Sequence, residues 1–437
     1  GSLAAGLLLA VGCQAFAPDF AEFDGERVRD LRDRAAQRDA MLELRLELLL
    51  PGLMEDAGLD CWLVVSDGQH GDPLVAQLTV SATHLEGKGA LLLCRGGGGL
   101  DRFALGRGFA PNAAIYEVAE PSDNEALEML LNDRLAAIDP QRIGIDDARS
   151  FAPADGLSAS DARWLRERLA DDFAERLVSS RPLVEDFLAT QLDVEAPLLA
   201  ESTRLTAAIL EEVLSDRVVV AAGTSLADLD WAVRTRAASI DAGLPYPPRP
   251  VVYRPGATLE SERRMEMDLI LQPGDLVFLS AGIDYLGYAN RVGRWAYLLP
   301  TGERQAPAWV EEAMGQLADA AGAVVGAIAV GQSSAEVHAA AAAAVAALPE
   351  ARVAVDRTAR LHEGAIDPTR EAAVSGSWRP DYRLAADTGL AIVVEATVTP
   401  PGANLQPFSL FALDTALVDA AGARFVVAPQ RTPLLID

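Results

Sequence analysis

Four histidines, three cysteines and 64 carboxylates set what this 437-residue chain could do with protons, metals or nucleophiles. His362 and Glu363 stand side by side in RLHEGAIDP, a pairing that opens zinc-protease helices. No second histidine follows one turn later, so the pair does not make that site. His338 falls in an Ala-rich helical run and is expected to face solvent. His70 lies in a loop of the first half of the chain. Cys61 and Cys94 each sit in an apolar strand-like run, CWLVV and ALLLC, and are expected to be buried free thiols. Neither belongs to a CxxC pair or a disulfide framework. There is no GxSxG elbow, no Walker loop and no GxGxxG after a strand, and the glycines at 96–99 read as a hairpin turn.

Those groups must be positioned by two different textures of sequence. A chain this long implies two domains. Residues 27–50 alternate charge and leucine at helical spacing, an amphipathic helix expected to stop at Pro51-Gly52. CWLVV, ALLLC and RIGIDD then read as strands alternating with helices, an α/β pattern over residues 25–187. A long helical run at 197–214 opens a second region, residues 188–437. Here strands come in pairs: VVYRPGA, DLVFLSAGIDY, GRWAYLL, then LAIVVEATV, LFALDTALVD and ARFVVA after Ala-rich helices at 308–330 and 334–348. That is an α+β texture with antiparallel strands flanked by helices.

Lys and Arg total 37, which leaves a net charge of −27. Nucleic acid and anionic lipid surfaces both demand a positive face, so neither is an expected partner. Residues 3–13, LAAGLLLAVGC, are too short to span a membrane. They resemble the end of a bacterial lipoprotein signal, in which Cys13 would carry the lipid and residues 1–24 would be signal remnant and tether. The expected place is therefore the bacterial cell envelope, as a periplasmic lipoprotein, with the cytoplasm as the alternative.

LQPGDLVFLSAGIDYLGY, followed by a return strand ending in AYLL, resembles the metal-site hairpin of the pita-bread metallopeptidases, the superfamily of aminopeptidase P, creatinase and methionine aminopeptidase. LMEDAGLDCWLVVSDGQHGDPLV and SFAPADGLSASDARWL are similar to segments of the N-terminal domain in the Xaa-Pro peptidase-like bacterial subgroup. YRLAADTGLAIVVEATV is similar to the later strand that carries a Glu ligand. The ordered set covers nearly all of the chain after residue 27. It implies an α/β creatinase-like N-terminal domain and an α+β pita-bread C-terminal domain, and it suggests a homodimer.

Enzymes of that family hold two Mn, Co or Zn ions with two Asp, one His and two Glu, and the ions turn a bridging water into a nucleophile. The resemblance places those five positions on Ser280, Arg291, Val355 or Asp356, Glu395 and Leu413, with Asp414 beside the last in the cleft. Only Glu395 keeps the ligand type. A guanidinium repels a cation in a low-dielectric pocket, so no cofactor is expected and Arg291 is expected to neutralise Glu395, Asp356 or Asp414 in the metals' place. His362 falls in a region similar to the family's His-rich segment and is the candidate catalytic residue. The leading functional expectation is a metal-free pseudoenzyme that binds a peptide or small molecule in the old cleft. The alternatives are an active metal-dependent Xaa-Pro peptidase and a metal-free creatinase-like hydrolase of a C–N bond.

Overall fold

The computed structural model describes residues 22–23, 26–68, 72–148, 151–219, 223–254, 267–358, 382–402 and 405–437. Strands β1 (Glu22–Phe23) and β2 (Glu26–Arg27) form a minimal hairpin. Asp30 then caps α1 (Leu31–Leu44), its side chain accepting from the Asp33 N–H at 2.8 Å. The expected stop at Pro51 does not occur. Helix α1 passes through a π-helical turn, Arg45–Leu49, into α2 (Leu50–Asp56). Pro51 lies directly after that π-helical turn, at the start of α2, where the change in hydrogen-bond spacing lets the helix continue past it.

The first sheet is built from β3 (Cys61–Asp67), β4 (Lys88–Gly96), β5 (Gly99–Leu105), β6 (Glu117–Ala119), β7 (Ile143–Ile145) and β8 (Leu177–Ser179), in the order β6-β5-β4-β3-β7-β8. Pairings β3–β4 and β4–β5 are antiparallel, while β3–β7, β7–β8 and β5–β6 are parallel. The uniform apolar runs of β3 and β4 follow from burial on both faces. Trp62, Val64, Leu91 and Leu93 pack on α1, α2 and α7 (Arg181–Ala189). Cys61, Leu63, Val65 and Leu92 pack on α4 (Asn124–Ile138) and α5 (Ala159–Arg168). The short helices α3 (Pro73–Leu78) and α6 (Asp171–Ala174) complete this α/β region. The β4–β5 hairpin turns at the glycine run, as expected, with Gly99 at φ +135°, a conformation other residues rarely adopt.

The cysteines differ from expectation. Cys61 and Cys94 are directly opposed on β3 and β4, with Cα atoms 4.1 Å apart, and they form a disulfide. Each run taken alone shows only an apolar cysteine; the pairing depends on strand register, which brings two side chains of the same face together.

Helices α8 (Ala196–Val213) and α9 (Leu226–Ser239) lead into two further sheets. One has the order β11-β10-β12-β17, with β9 also paired to β10: β9 (Gly243–Tyr253), β10 (Leu276–Tyr285), β11 (Tyr288–Ala289), β12 (Val292–Leu298) and β17 (Leu434–Ile436). The other has the order β13-β14-β15-β16: β13 (Arg352–Arg357), β14 (Gly389–Val398), β15 (Phe408–Asp419) and β16 (Gly422–Phe425). The Ala-rich helices, Ala308–Gly326 and Ser334–Val345, cover the second of these sheets, while α8 and α9 cover the first. Alternation along β10 sorts its side chains. Val277, Leu279, Ala281 and Ile283 face α8 and α9, while Leu276 and Phe278 face the other sheet. His338, expected to face solvent, is half-buried with its Nε2 inside, and burial lowers its pKa.

Candidate functional site

Ser280 is set by the same alternation. It shares the face of Phe278 and therefore points between the two C-terminal sheets, where it is 5% exposed. The hairpin that returns the chain turns at Leu286 and Gly287, both at positive φ (+62° and +83°). It pairs Asp284 with Ala289, so Asp284 belongs to β10 rather than to the turn. Gly282 must be glycine, because a Cβ there would run into the Asn290 carbonyl. Asn290 is pinned in turn: its amide donates to Ser202 Oγ at 2.8 Å and to the Ile283 carbonyl at 3.1 Å, and its oxygen accepts from Thr206 Oγ1 at 2.6 Å. Arg291, next in the chain, is thereby fixed against the facing sheet. Its N–H donates to Thr415 Oγ1 at 3.0 Å, and Thr415 Oγ1 donates back to the Arg291 carbonyl at 2.9 Å.

The facing sheet presents Asp356, Ala391, Val393, Glu395, Leu413 and Thr415. Register pairs Asp356 with Ala391, Ala391 with Thr415 and Val393 with Leu413, and directly opposed residues share a face. The structure thus brings together most of the positions picked out in the sequence. The Arg291 guanidinium lies 3.7 Å from an Asp356 oxygen, with the two side chains only 5% and 3% exposed. It also lies over the Tyr246 ring, 3.8 Å from the centroid. Between Val355 and Asp356, the aspartate is the one on the cleft face; Val355 belongs to the apolar core beneath the Ala-rich helices. Glu395 accepts a hydrogen bond from Ser409 Oγ at 2.6 Å. The Phe278 ring and Leu413 close against Gly293, whose missing Cβ leaves room chiefly for the ring.

Asp414, expected in the cleft, alternates to the other side of β15. There its carboxylate is 2.9 Å from Arg294, which also donates to Glu211 of α8 at 3.0 Å. Burial raises the Asp414 pKa to about 7, against the opposing pull of Arg294. His362 and Cys13 lie outside the described residues. Sequence reasoning missed Tyr246, whose strand holds prolines at 245, 247, 248 and 250 and does not read as a regular strand. It lies on β9, paired only to β10 among the described residues, an edge position where proline is tolerated. Missed too was Arg249, opposite Ser280 in register.

These donors do not fit a dinuclear metal site. Among the described residues no group of three or more His, Cys, Asp or Glu side chains is gathered for a metal. The positions that the resemblance assigns to ligands hold a serine, an arginine and a leucine, and a guanidinium has the wrong sign to bind a cation.

No protein-family model matches the chain. No curated protein matches it either. Solved structures do. The X-Pro aminopeptidase from Thermotoga maritima is similar over 88% of this chain and 99% of its own, at 12% identity and a TM-score of 0.64. The Xaa-Pro dipeptidase from Bacillus anthracis is similar over 92% and 99%, at 17% identity and a TM-score of 0.57. The N-terminal domain of the FACT complex subunit SPT16 from Cicer arietinum is similar over 92% and 99%, at 13% identity and a TM-score of 0.57. The chain therefore has the pita-bread fold, an α/β region followed by the α+β pita-bread region. One expectation falls with this comparison, that of no cofactor. The peptidases among these neighbours belong to a class that uses a dinuclear metal site, so the fold brings no support for an absence of metal.

Proposed function

We propose that this chain is an Xaa-Pro peptidase-like protein of the pita-bread family that uses the cleft between its C-terminal sheets to bind a peptide or small molecule rather than to hydrolyse it as a dinuclear peptidase. The observation that supports the reading is Arg291, which the resemblance assigns to the second ligand position, buried against Asp356 and the Tyr246 ring. A fixed guanidinium beside a carboxylate supplies hydrogen-bonding groups of both signs for a polar ligand. A guanidinium does not turn a bound water into a nucleophile as a pair of metal ions does. The fold itself serves both kinds of role, since a subunit of a multiprotein complex shares it with the peptidases. The test is a panel of Xaa-Pro and other dipeptides, with and without added Mn, Co or Zn. Peptides that raise the melting temperature without releasing amino acids support the proposal. Metal-dependent release of the N-terminal residue would overturn it in favour of an active peptidase.

We also propose the cell envelope as its place, with Cys13 as the lipid anchor. The Cys61–Cys94 disulfide supports an oxidising compartment. Palmitate labelling that disappears in Cys13→Ser, together with membrane fractionation, checks this; a cytoplasmic, unlabelled protein overturns it. A homodimer is expected as well, and sedimentation equilibrium tests it.

A further inference from the structure

A second cluster of titratable groups lies far from the cleft, in the N-terminal sheet. Asp72 caps α3: its Oδ1 accepts the Leu74 N–H at 2.8 Å, and its own N–H donates to Ser66 Oγ of β3 at 2.9 Å. Asp146 follows β7, and its Oδ1 accepts Trp62 Nε1 at 3.2 Å and Ser180 Oγ at 2.5 Å. Ser180 immediately precedes α7. Both aspartates are buried, at 3% and 1% exposure. Each has one oxygen committed to donors, and on each the other oxygen, Oδ2, is buried with no donor among the described residues. Residues 156 and 157 bring the two aspartates together: Gly156 lies against the Asp72 carboxyl, where a Cβ would overlap it, and the Leu157 N–H donates to the Asp146 carbonyl at 3.2 Å.

Two buried acceptors cannot satisfy one another. A proton between them turns a repulsive pair into a donor and an acceptor. We propose that Asp72 and Asp146 share one proton and form an acid-closed latch, which ties the start of α3 to the start of α7 and loosens as the proton is lost.

The surrounding charges favour the protonated pair. Asp161 of α5 adds negative field at Asp72 and is itself ion-paired to Lys88 of β4. Arg181, the first residue of α7, lies 5.8 Å from the Phe151 ring centroid and 3.8 Å from Glu185. Asp147, next to Asp146, pairs with Arg166 at 3.3 Å. Helix α3, PLVAQL, carries no charged side chain, and Asp67 ends β3. Burial is the largest cause of the shifts: it raises Asp72 from 3.8 to about 6 and Asp146 well above the usual range. An acid whose pKa is raised by folding stabilises the closed form at low pH. That stability is lost as pH rises between the two values.

The experiment is hydrogen exchange of the full-length protein, followed at the amides of residues 74–78 and 181–186 from pH 5 to pH 8. After correction for the intrinsic pH dependence of exchange, opening should increase about tenfold over this range in wild type. Asp146→Asn supplies a permanent donor to Asp72 while keeping the acceptor for Trp62 and Ser180, so it should remove that increase. A flat wild-type profile, or an unchanged increase in Asp146→Asn, overturns the latch. Should that variant not fold, 13C titration of the aspartate carboxyls in wild type decides. A resonance assigned to Asp72 or Asp146 that stays protonated well above pH 5 supports the shared proton; both of these carboxyls titrating near 4 overturns it.

Discussion

Replacing Arg291 by methionine removes the cation from the cleft and keeps much of the stem's apolar bulk. Asp356 would then be left 3% exposed without the guanidinium that stands 3.7 Å away. At that separation, with an effective dielectric of about 20, the Coulomb attraction is about 4 kcal/mol. Deleting one partner of a buried pair typically costs about 3–5 kcal/mol, because the remaining charge stays desolvated. Loss of the Tyr246 contact adds about 1–2 kcal/mol. Arg291→Met should therefore lower the melting temperature of the C-terminal region by roughly 10 °C. Arg291→Met/Asp356→Asn removes both charges and should recover much of that loss. A thermal-denaturation cycle of wild type, both single variants and the double variant measures the coupling directly. A coupling below about 1 kcal/mol is what an exposed pair would give. Such a result, or an Arg291→Met protein as stable as wild type, would refute the claim that arginine and carboxylate neutralise each other in this cleft.

Reducing the Cys61–Cys94 disulfide, or replacing both cysteines by alanine, should cost roughly 3–4 kcal/mol for a crosslink spanning 33 residues. Mass spectrometry of alkylated protein and urea melts with and without reductant check this; two free thiols in the purified protein would contradict it. Asp414→Asn should flatten the pH dependence of stability between about pH 4 and pH 7. The burial-raised carboxyl favours the folded state at low pH, and that contribution is lost as pH rises through about 7. Melts of wild type and variant at pH 5 and pH 8 measure the difference. Gly282→Ala should destabilise by about 2 kcal/mol or more, since its Cβ would run into the Asn290 backbone; unchanged urea unfolding would disprove the tight approach.

The legible parts of this fold were those written locally. The helical texture of α8, the strand texture of β10, β12 and β14 and the glycine turn after β4 are all visible in short windows. Ser280, Arg291, Glu395, Leu413 and the choice between Val355 and Asp356 come from the family resemblance, and strand parity along β13 then separates Asp356 from Val355. What could not be read was set by register and by partners distant in sequence. The disulfide needs β3 and β4 to align so that Cys61 meets Cys94. Asp414 and Leu413 are neighbours in sequence, yet only three-dimensional packing shows that Asp414 belongs to Arg294 and α8 while Leu413 faces Gly293. Pro51 reads as a stop because the π-helical turn before it leaves no trace in hydrophobic spacing.

Strand β13 shows why a cleft substitution need not stay local. Asp356 and Arg357 are adjacent, so their side chains leave the strand on opposite sides. Asp356 turns to Arg291 in the cleft. Arg357 turns to Glu185 of α7, and that ion pair is fully buried and covered by the Tyr382 ring, 4.3 Å from the guanidinium. A second buried group joins the same two regions: Glu195 accepts from Arg45 at 2.7 Å and from Tyr288 at 2.5 Å. Tyr288 is two residues from Asn290, the side chain that pins the turn into Arg291. Arg291 and Asp356, the ion pair in the cleft, are thus held by segments whose other contacts run into the N-terminal region. Glu185→Gln should consequently weaken the Arg291–Asp356 coupling as well as the region around α7. If that coupling is unchanged in a Glu185→Gln background, β13 acts as two independent anchors and the N-terminal region has no hold on the cleft.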